Sequence, residues 1–179
     1  LTMCVAVPLL GSLALPLLGR AWEPARDLAA LLFTAISCAC VAALLPAVLA
    51  GHTATVTLGG IDLLHADRLA VFMALVSMGV GAVIVFYSWG YIAHYPHRNE
   101  YYFMVVLFLG AMMGLVFSRN LLALYLFWEI TAVACWRLIG FFREPEYVRR
   151  ADKAFLITVF GAASLKGVLE QAKTAYEAA

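Results

Sequence analysis

Leu69-Ala-Val-Phe-Met-Ala-Leu-Val-Ser-Met-Gly-Val-Gly-Ala-Val-Ile-Val-Phe-Tyr-Ser-Trp-Gly-Tyr-Ile92 is an uninterrupted apolar run without a single charge. It exceeds the ~20 residues that an α-helix needs to cross a bilayer. Working outward, comparable windows fall at about 3–19, 28–50, 101–118, 120–142 and 151–169. With 69–92 they predict an all-α integral membrane bundle of about six transmembrane helices. Composition agrees: of 179 residues 65% are hydrophobic and 13% charged, with a mean hydropathy of +0.93, so lipid is the solvent.

The sixth window is the weakest, because beyond Leu165 it meets Lys166, Glu170 and Lys173. The reading is therefore a transmembrane domain over 1–165 followed by a polar helical tail over 166–179. The first window competes with a signal peptide. It has no charged segment ahead of it, Arg20 and Arg26 follow it, and Pro8 and Pro16 suit a kinked span, so a retained helix is expected.

Between the second and third windows, Thr53-Ala-Thr-Val-Thr-Leu-Gly-Gly-Ile-Asp-Leu-Leu64 alternates and breaks at Gly59-Gly60. This predicts a small extracytoplasmic hairpin, with an irregular polar loop as the alternative. Positive residues divide unevenly. Arg20, Arg26, Arg98, Arg143, Arg149 and Arg150 fall in the first, third and fifth loops, whereas Arg68 and Arg119 fall in the second and fourth. The bias puts an extracytoplasmic N-terminus on a multi-pass protein of the cell membrane.

Several function classes drop out. A net charge of +1 without a basic stripe gives no footing for nucleic acid. Cys4, Cys38, Cys40 and Cys135 all sit in apolar runs as small hydrophobes, and no disulfide framework is read. Cys38 and Cys40, two residues apart, point about 200° from each other on a helix and so cannot share a metal. The histidines lie outside the windows. His94 and His97, flanking Tyr95-Pro96, have side chains suited to proton uptake, but a solvated loop rather than haem ligation is expected. No cofactor, no metal and no active site of its own are expected. Tyr87, Trp89, Tyr91, Tyr95, Tyr101 and Tyr102 form an interfacial aromatic belt, and Gly110-Ala-Met-Met-Gly114 provides a close-packing face.

One residue carries chemistry. Glu129 stands within Leu121-Leu-Ala-Leu-Tyr-Leu-Phe-Trp-Glu-Ile-Thr, close to the middle of the fifth window. A carboxylate at that depth costs at least ~2.5 kcal/mol and is a functional site by default. A mobile cation moving toward or away from it would switch it between holding and releasing a proton, which is the physics of a relay. The alternative is a permanently protonated side chain bonded to a neighbouring helix. Arg137, eight residues on, is about 12 Å along the helix and cannot easily reach it; snorkelling toward Arg143 is expected. Lys153 opens the sixth window in a mixed-sign cluster, as an anchor or as a cation on a lateral proton path.

These residues resemble a known family. The run from Asn99-Glu-Tyr-Tyr-Phe through Leu121–Thr131 to Leu138-Ile-Gly-Phe and Lys153-Ala-Phe is similar to the antiporter-like subunits of respiratory complex I. Related subunits occur in multisubunit sodium/proton antiporters and in membrane-bound hydrogenases such as formate hydrogenlyase. Leu58-Gly-Gly60 followed by Asp67-Arg-Leu-Ala looks like that family's N-terminal region, and the resemblance covers about 1–165. It implies that Glu129 is the fifth-helix glutamate, which works with a seventh-helix lysine in moving protons or sodium ions. That lysine would lie beyond Ala179, so the chain is expected to be an N-terminal portion of a subunit of a redox-driven complex of the NADH dehydrogenase or hydrogenase type, among other membrane subunits. Two departures stand out: Thr158-Val-Phe-Gly-Ala162 carries no charge where some members have an Arg and Asp pair, and Trp136-Arg137 leans toward the hydrogenase branch. The competing expectation is a structural scaffold or degenerate fragment that anchors other subunits, with Glu129 inert.

Overall fold

The structure is a computed structural model that describes residues 1–58 and 60–177, with 58, 61 and 162–177 described by backbone alone. Six α-helices and one hairpin follow in order: α1 Thr2–Ala21, α2 Glu23–Leu49, β1 Ala54–Leu58, β2 Ile61–Ala66, α3 Arg68–Tyr91, α4 Arg98–Phe117, α5 Leu121–Ile139 and α6 Pro145–Glu177. The first five are long and apolar enough to cross a membrane. Helix α6 does not meet that standard among the described residues. The anticipated sixth window and polar helical tail fall within one 33-residue helix that starts at Pro145, in the charged segment before the apolar stretch. Residues 178 and 179 of that tail, and the Lys166 and Lys173 side chains, lie outside the described residues.

The helix boundaries have local causes. Pro24 sits in the first turn of α2, where a missing N–H costs nothing. Asp67 caps α3 by accepting from the Ala70 N–H at 2.7 Å, and Asn120 caps α5 by accepting from the Leu122 N–H at 2.8 Å.

The hairpin is antiparallel, pairing Thr57 with Asp62 and Leu58 with Ile61 across the diglycine. Gly60 takes φ +83°, the left-handed conformation such a turn needs; Gly59 lies outside the described residues. The register shifts after Val56, leaving Leu63 as the extra residue of a bulge. The Leu63 carbonyl accepts the Arg119 N–H at 3.0 Å, and Leu64 bridges to Ser118, so the hairpin is tied to the α4–α5 connection.

Helix α4 is the hub, packing against α1, α2, α3 and α5, while α6 packs on α5. The two glycines of the Gly110–Gly114 pair serve different neighbours within the chain. A Cβ on Gly110 would stand 2.9 Å from the Leu9 backbone nitrogen of α1, and one on Gly114 would collide with the Phe127 ring of α5. Buried side chains of α1 to α4, among them Leu15, Val41, Met78, Val106 and Met113, fill the core. Leu122, Val83, Phe86 and Leu17 stand exposed, as a lipid-facing surface requires.

Candidate functional site

At the end of the bundle formed by the α1–α2 turn, the start of α4 and the end of α5, charged residues meet. Arg26, 1% exposed, donates to Asp27 Oδ1 from Nε at 2.8 Å and from Nη2 at 2.6 Å, and from Nη1 to the Asn99 side chain. Its guanidinium carbon lies 5.1 Å from the Tyr102 ring centroid. Arg98 bridges outward, to Asp27 Oδ2 at 2.9 Å and to the exposed Glu23 at 2.8 Å. An open cleft lined by Glu23, Arg26, His97, Arg98, Asn99 and Glu100 lies over this cluster. Buried guanidinium and carboxylate groups hold only when each is paired and hydrogen-bonded, and Arg26 and Asp27 satisfy one another.

A second ionic group adjoins it. Glu100 accepts from Arg137 of α5 and from Arg143 at 2.7 Å, which ties α4 to the end of α5. Around both runs a chain of ring contacts, Tyr87–Tyr91, Tyr91–Tyr95, Tyr95–Phe142, Phe142–Phe141 and Phe141–Tyr101, each between 5.5 and 5.8 Å. The expected aromatic belt is therefore a connected collar at the same end as the arginines.

Glu129 is the ninth of the 19 residues of α5. Its Oε1 is buried without a hydrogen-bond partner among the described residues, as is the neighbouring Trp128 Nε1. Tyr125 stands one turn earlier on the same helix. At 1.5 Å per residue Arg137 is about 12 Å further along α5, and Glu100 holds it there. The two predicted residues are thus not brought together. Lys153 lies in α6, exposed and without an ion pair among the described residues; its neighbour Asp152 accepts from Trp136 Nε1 at 2.8 Å.

Sequence reasoning placed Arg26 and Arg98 in loops as topology signals, whereas both belong to the first turns of helices and one is buried. Pro24 was the available sign: a proline in a first turn puts Arg26 and Asp27 inside the helix. Arg137, for which snorkelling toward Arg143 is expected, shares the Glu100 carboxylate with Arg143, a charge-assisted contact across the α4–α5 interface.

A family profile described as "NADH-Ubiquinone oxidoreductase (complex I), chain 5 N-terminus" matches residues 63–102, from the hairpin to Tyr102 of the charged cluster. "Na(+)/H(+) antiporter subunit A1" of Staphylococcus haemolyticus (strain JCSC1435) is 42% identical over 105 residues, 58% of this chain and 13% of that protein. Over these stretches the chain is similar to antiporter-like membrane subunits. The subunit A1 of Staphylococcus aureus (strain JH9) is 41% identical over the same length. The chain spans 13% of the length of these curated relatives.

Among solved structures, the Mrp complex from Dietzia sp. DQ12-45-1b contains a chain with TM-score 0.70 and 28% identity, over 90% of this chain and 18% of that one. The membrane-bound sulfane sulfur reductase, described as an archaeal respiratory membrane complex, gives TM-score 0.83 at 18% identity, over 90% of this chain and 34% of that one. At that identity the likeness shows the fold alone. Together these show a multi-pass helical membrane bundle of the fold found in those complexes.

Proposed function

We propose that the chain contributes to proton or sodium translocation as part of an antiporter-like subunit in a multisubunit membrane complex, with Glu129 as the proton relay. One observation carries the reading: mid-helix in α5, the Glu129 carboxylate has a buried oxygen that nothing among the described residues satisfies. A purely structural carboxylate at that depth would have both oxygens paired, because an unpartnered one costs about 1–3 kcal/mol. An oxygen left unpaired is available to take and return a proton. Arg137, tethered to Glu100 about two turns away, does not neutralise Glu129. Arg137 and the exposed Lys153 therefore take a secondary place in the relay.

The curated relatives are named as sodium/proton antiporter subunits, which supports cation–proton antiport alongside the redox-driven alternative. We take the arginine-rich end as cytoplasmic and the hairpin and N-terminus as extracytoplasmic, on the distribution of Arg among the connections. The domain reading proposed with it is a membrane domain over 1–165, continued by the polar end of α6.

The test is ion uptake in everted membrane vesicles holding the chain with its native partners, comparing the parent with Glu129→Gln. One arm uses an electron donor and the other an imposed sodium gradient. Collapse of uptake with the complex still assembled supports the relay, and the arm that collapses identifies the driving force. Uptake equal to the parent in both arms leaves the scaffold reading standing and removes Glu129 from the path.

A further inference from the structure

We propose that Cys4 and Cys40 form an oxidisable thiol pair, closing into a disulfide that staples α1 to α2 when a bilayer-soluble hydroperoxide reaches Cys40. The inference is independent of ion transport and rests on the register of two helices. Helices α1 and α2 run antiparallel, and two contacts set their alignment. A Cβ on Gly11 would meet the Phe33 ring at 2.6 Å, and Gly19 is held close to the Arg26 side chain. Seven residues back from Gly11 is Cys4, and seven forward from Phe33 is Cys40, two helical turns in each case.

A third contact confirms the level. Ser37 Oγ donates to the Cys4 carbonyl at 2.7 Å, and Cys40 lies one turn beyond Ser37 on the same stripe of α2. A helical carbonyl points toward its own C-terminus while the Cβ tilts toward the N-terminus. The Cys4 side chain is thereby aimed from the level of Ser37 toward that of Cys40. Cys38, two residues from Cys40 and about 200° around the helix, faces elsewhere.

Exposure divides the roles. Cys4 is 1% exposed, whereas Cys40 is half-buried. Cys40 sulfur attacks the peroxide O–O bond, forming a sulfenic acid, and the departing alkoxide takes the thiol proton as an alcohol. Cys4 sulfur then attacks the sulfenic sulfur, the S–S bond forms, and the hydroxyl leaves with the second thiol proton as water. Two thiols lose one electron each, and the peroxide accepts both.

The experiment treats membranes holding the protein with its native partners with cumene hydroperoxide, denatures them, alkylates with N-ethylmaleimide and maps each cysteine by mass spectrometry. The expected result is joint and equal loss of alkylation at Cys4 and Cys40, a linked peptide lacking two hydrogens, and recovery after phosphine reduction. Cys38, as accessible as Cys40 but facing away, keeps its alkylation. In Cys4→Ser no linked peptide forms, and dimedone traps a sulfenic acid at Cys40 that the parent does not accumulate. Cys4 remaining fully alkylated while Cys40 is consumed would overturn the pair, as would a link from Cys4 to Cys38, or Cys4 oxidising equally fast in Cys40→Ser.

Discussion

Asp27→Ala tests the ionic core of the bundle. Asp27 is 4% exposed and receives two bonds from Arg26 and one from Arg98. Without it, Arg26 keeps the Asn99 side chain and the Tyr102 face, neither of which carries a compensating charge, and stays buried. Removing one member of a buried pair costs about 3–5 kcal/mol. At ~2–4 °C per kcal/mol for a chain of this size, the midpoint should fall on the order of 10 °C. Glu23→Ala is the internal contrast. Glu23 also pairs with Arg98, but 65% of its side chain is exposed, and such a pair contributes at most about 1 kcal/mol. The assay is thermal unfolding in detergent followed by far-UV circular dichroism. Replacing both charges, Arg26→Met with Asp27→Leu, should recover much of the loss, since no lone buried charge then remains at that pair. The reasoning fails if Asp27→Ala melts within about 2 °C of the parent, or if Glu23→Ala costs as much.

Two further outcomes follow from the packing. Gly110→Ala should destabilise by about 1–3 kcal/mol, because its Cβ meets the α1 backbone, which cannot step aside. Gly81→Ala meets only the Leu109 side chain, so it should cost less in the same melting assay, and equal losses would contradict the close α1–α4 approach. Asp67→Ala removes the N-cap of α3 and should cost about 1 kcal/mol, with Asp67→Asn recovering most of it.

The elements were legible because lipid imposes a length and a polarity on every span. The windows at 3–19, 28–50, 69–92, 101–118 and 120–142 correspond to α1 to α5 within a few residues, and alternation around a diglycine marked the hairpin. Glu129 was visible for the same reason, since a carboxylate among Leu, Phe and Trp has no ordinary explanation. Less legible was α6, where charge at both ends of a short apolar stretch hid one continuous helix.

The charged cluster was not legible, although every member was in view. Arg98 reaches Glu23 and Asp27 across 75 and 71 residues of chain, and Arg137 reaches Glu100 across 37. Local patterning assigns such residues to loops, because it does not register which helices will be neighbours. The same holds for Gly110 and Gly114, whose spacing announced a packing face but not that α1 takes one glycine and α5 the other. The sequence by itself determined that this is a membrane protein, where its apolar helices run, and that one carboxylate stands midway along such a helix, since these depend on the free energy of each segment in lipid. Only the tertiary structure decided which helices touch, and with that the partners of Arg26 and Arg137, the Glu129 oxygen without a partner among the described residues, and the register of α1 against α2. These depend on antiparallel register between distant segments, which no local property encodes.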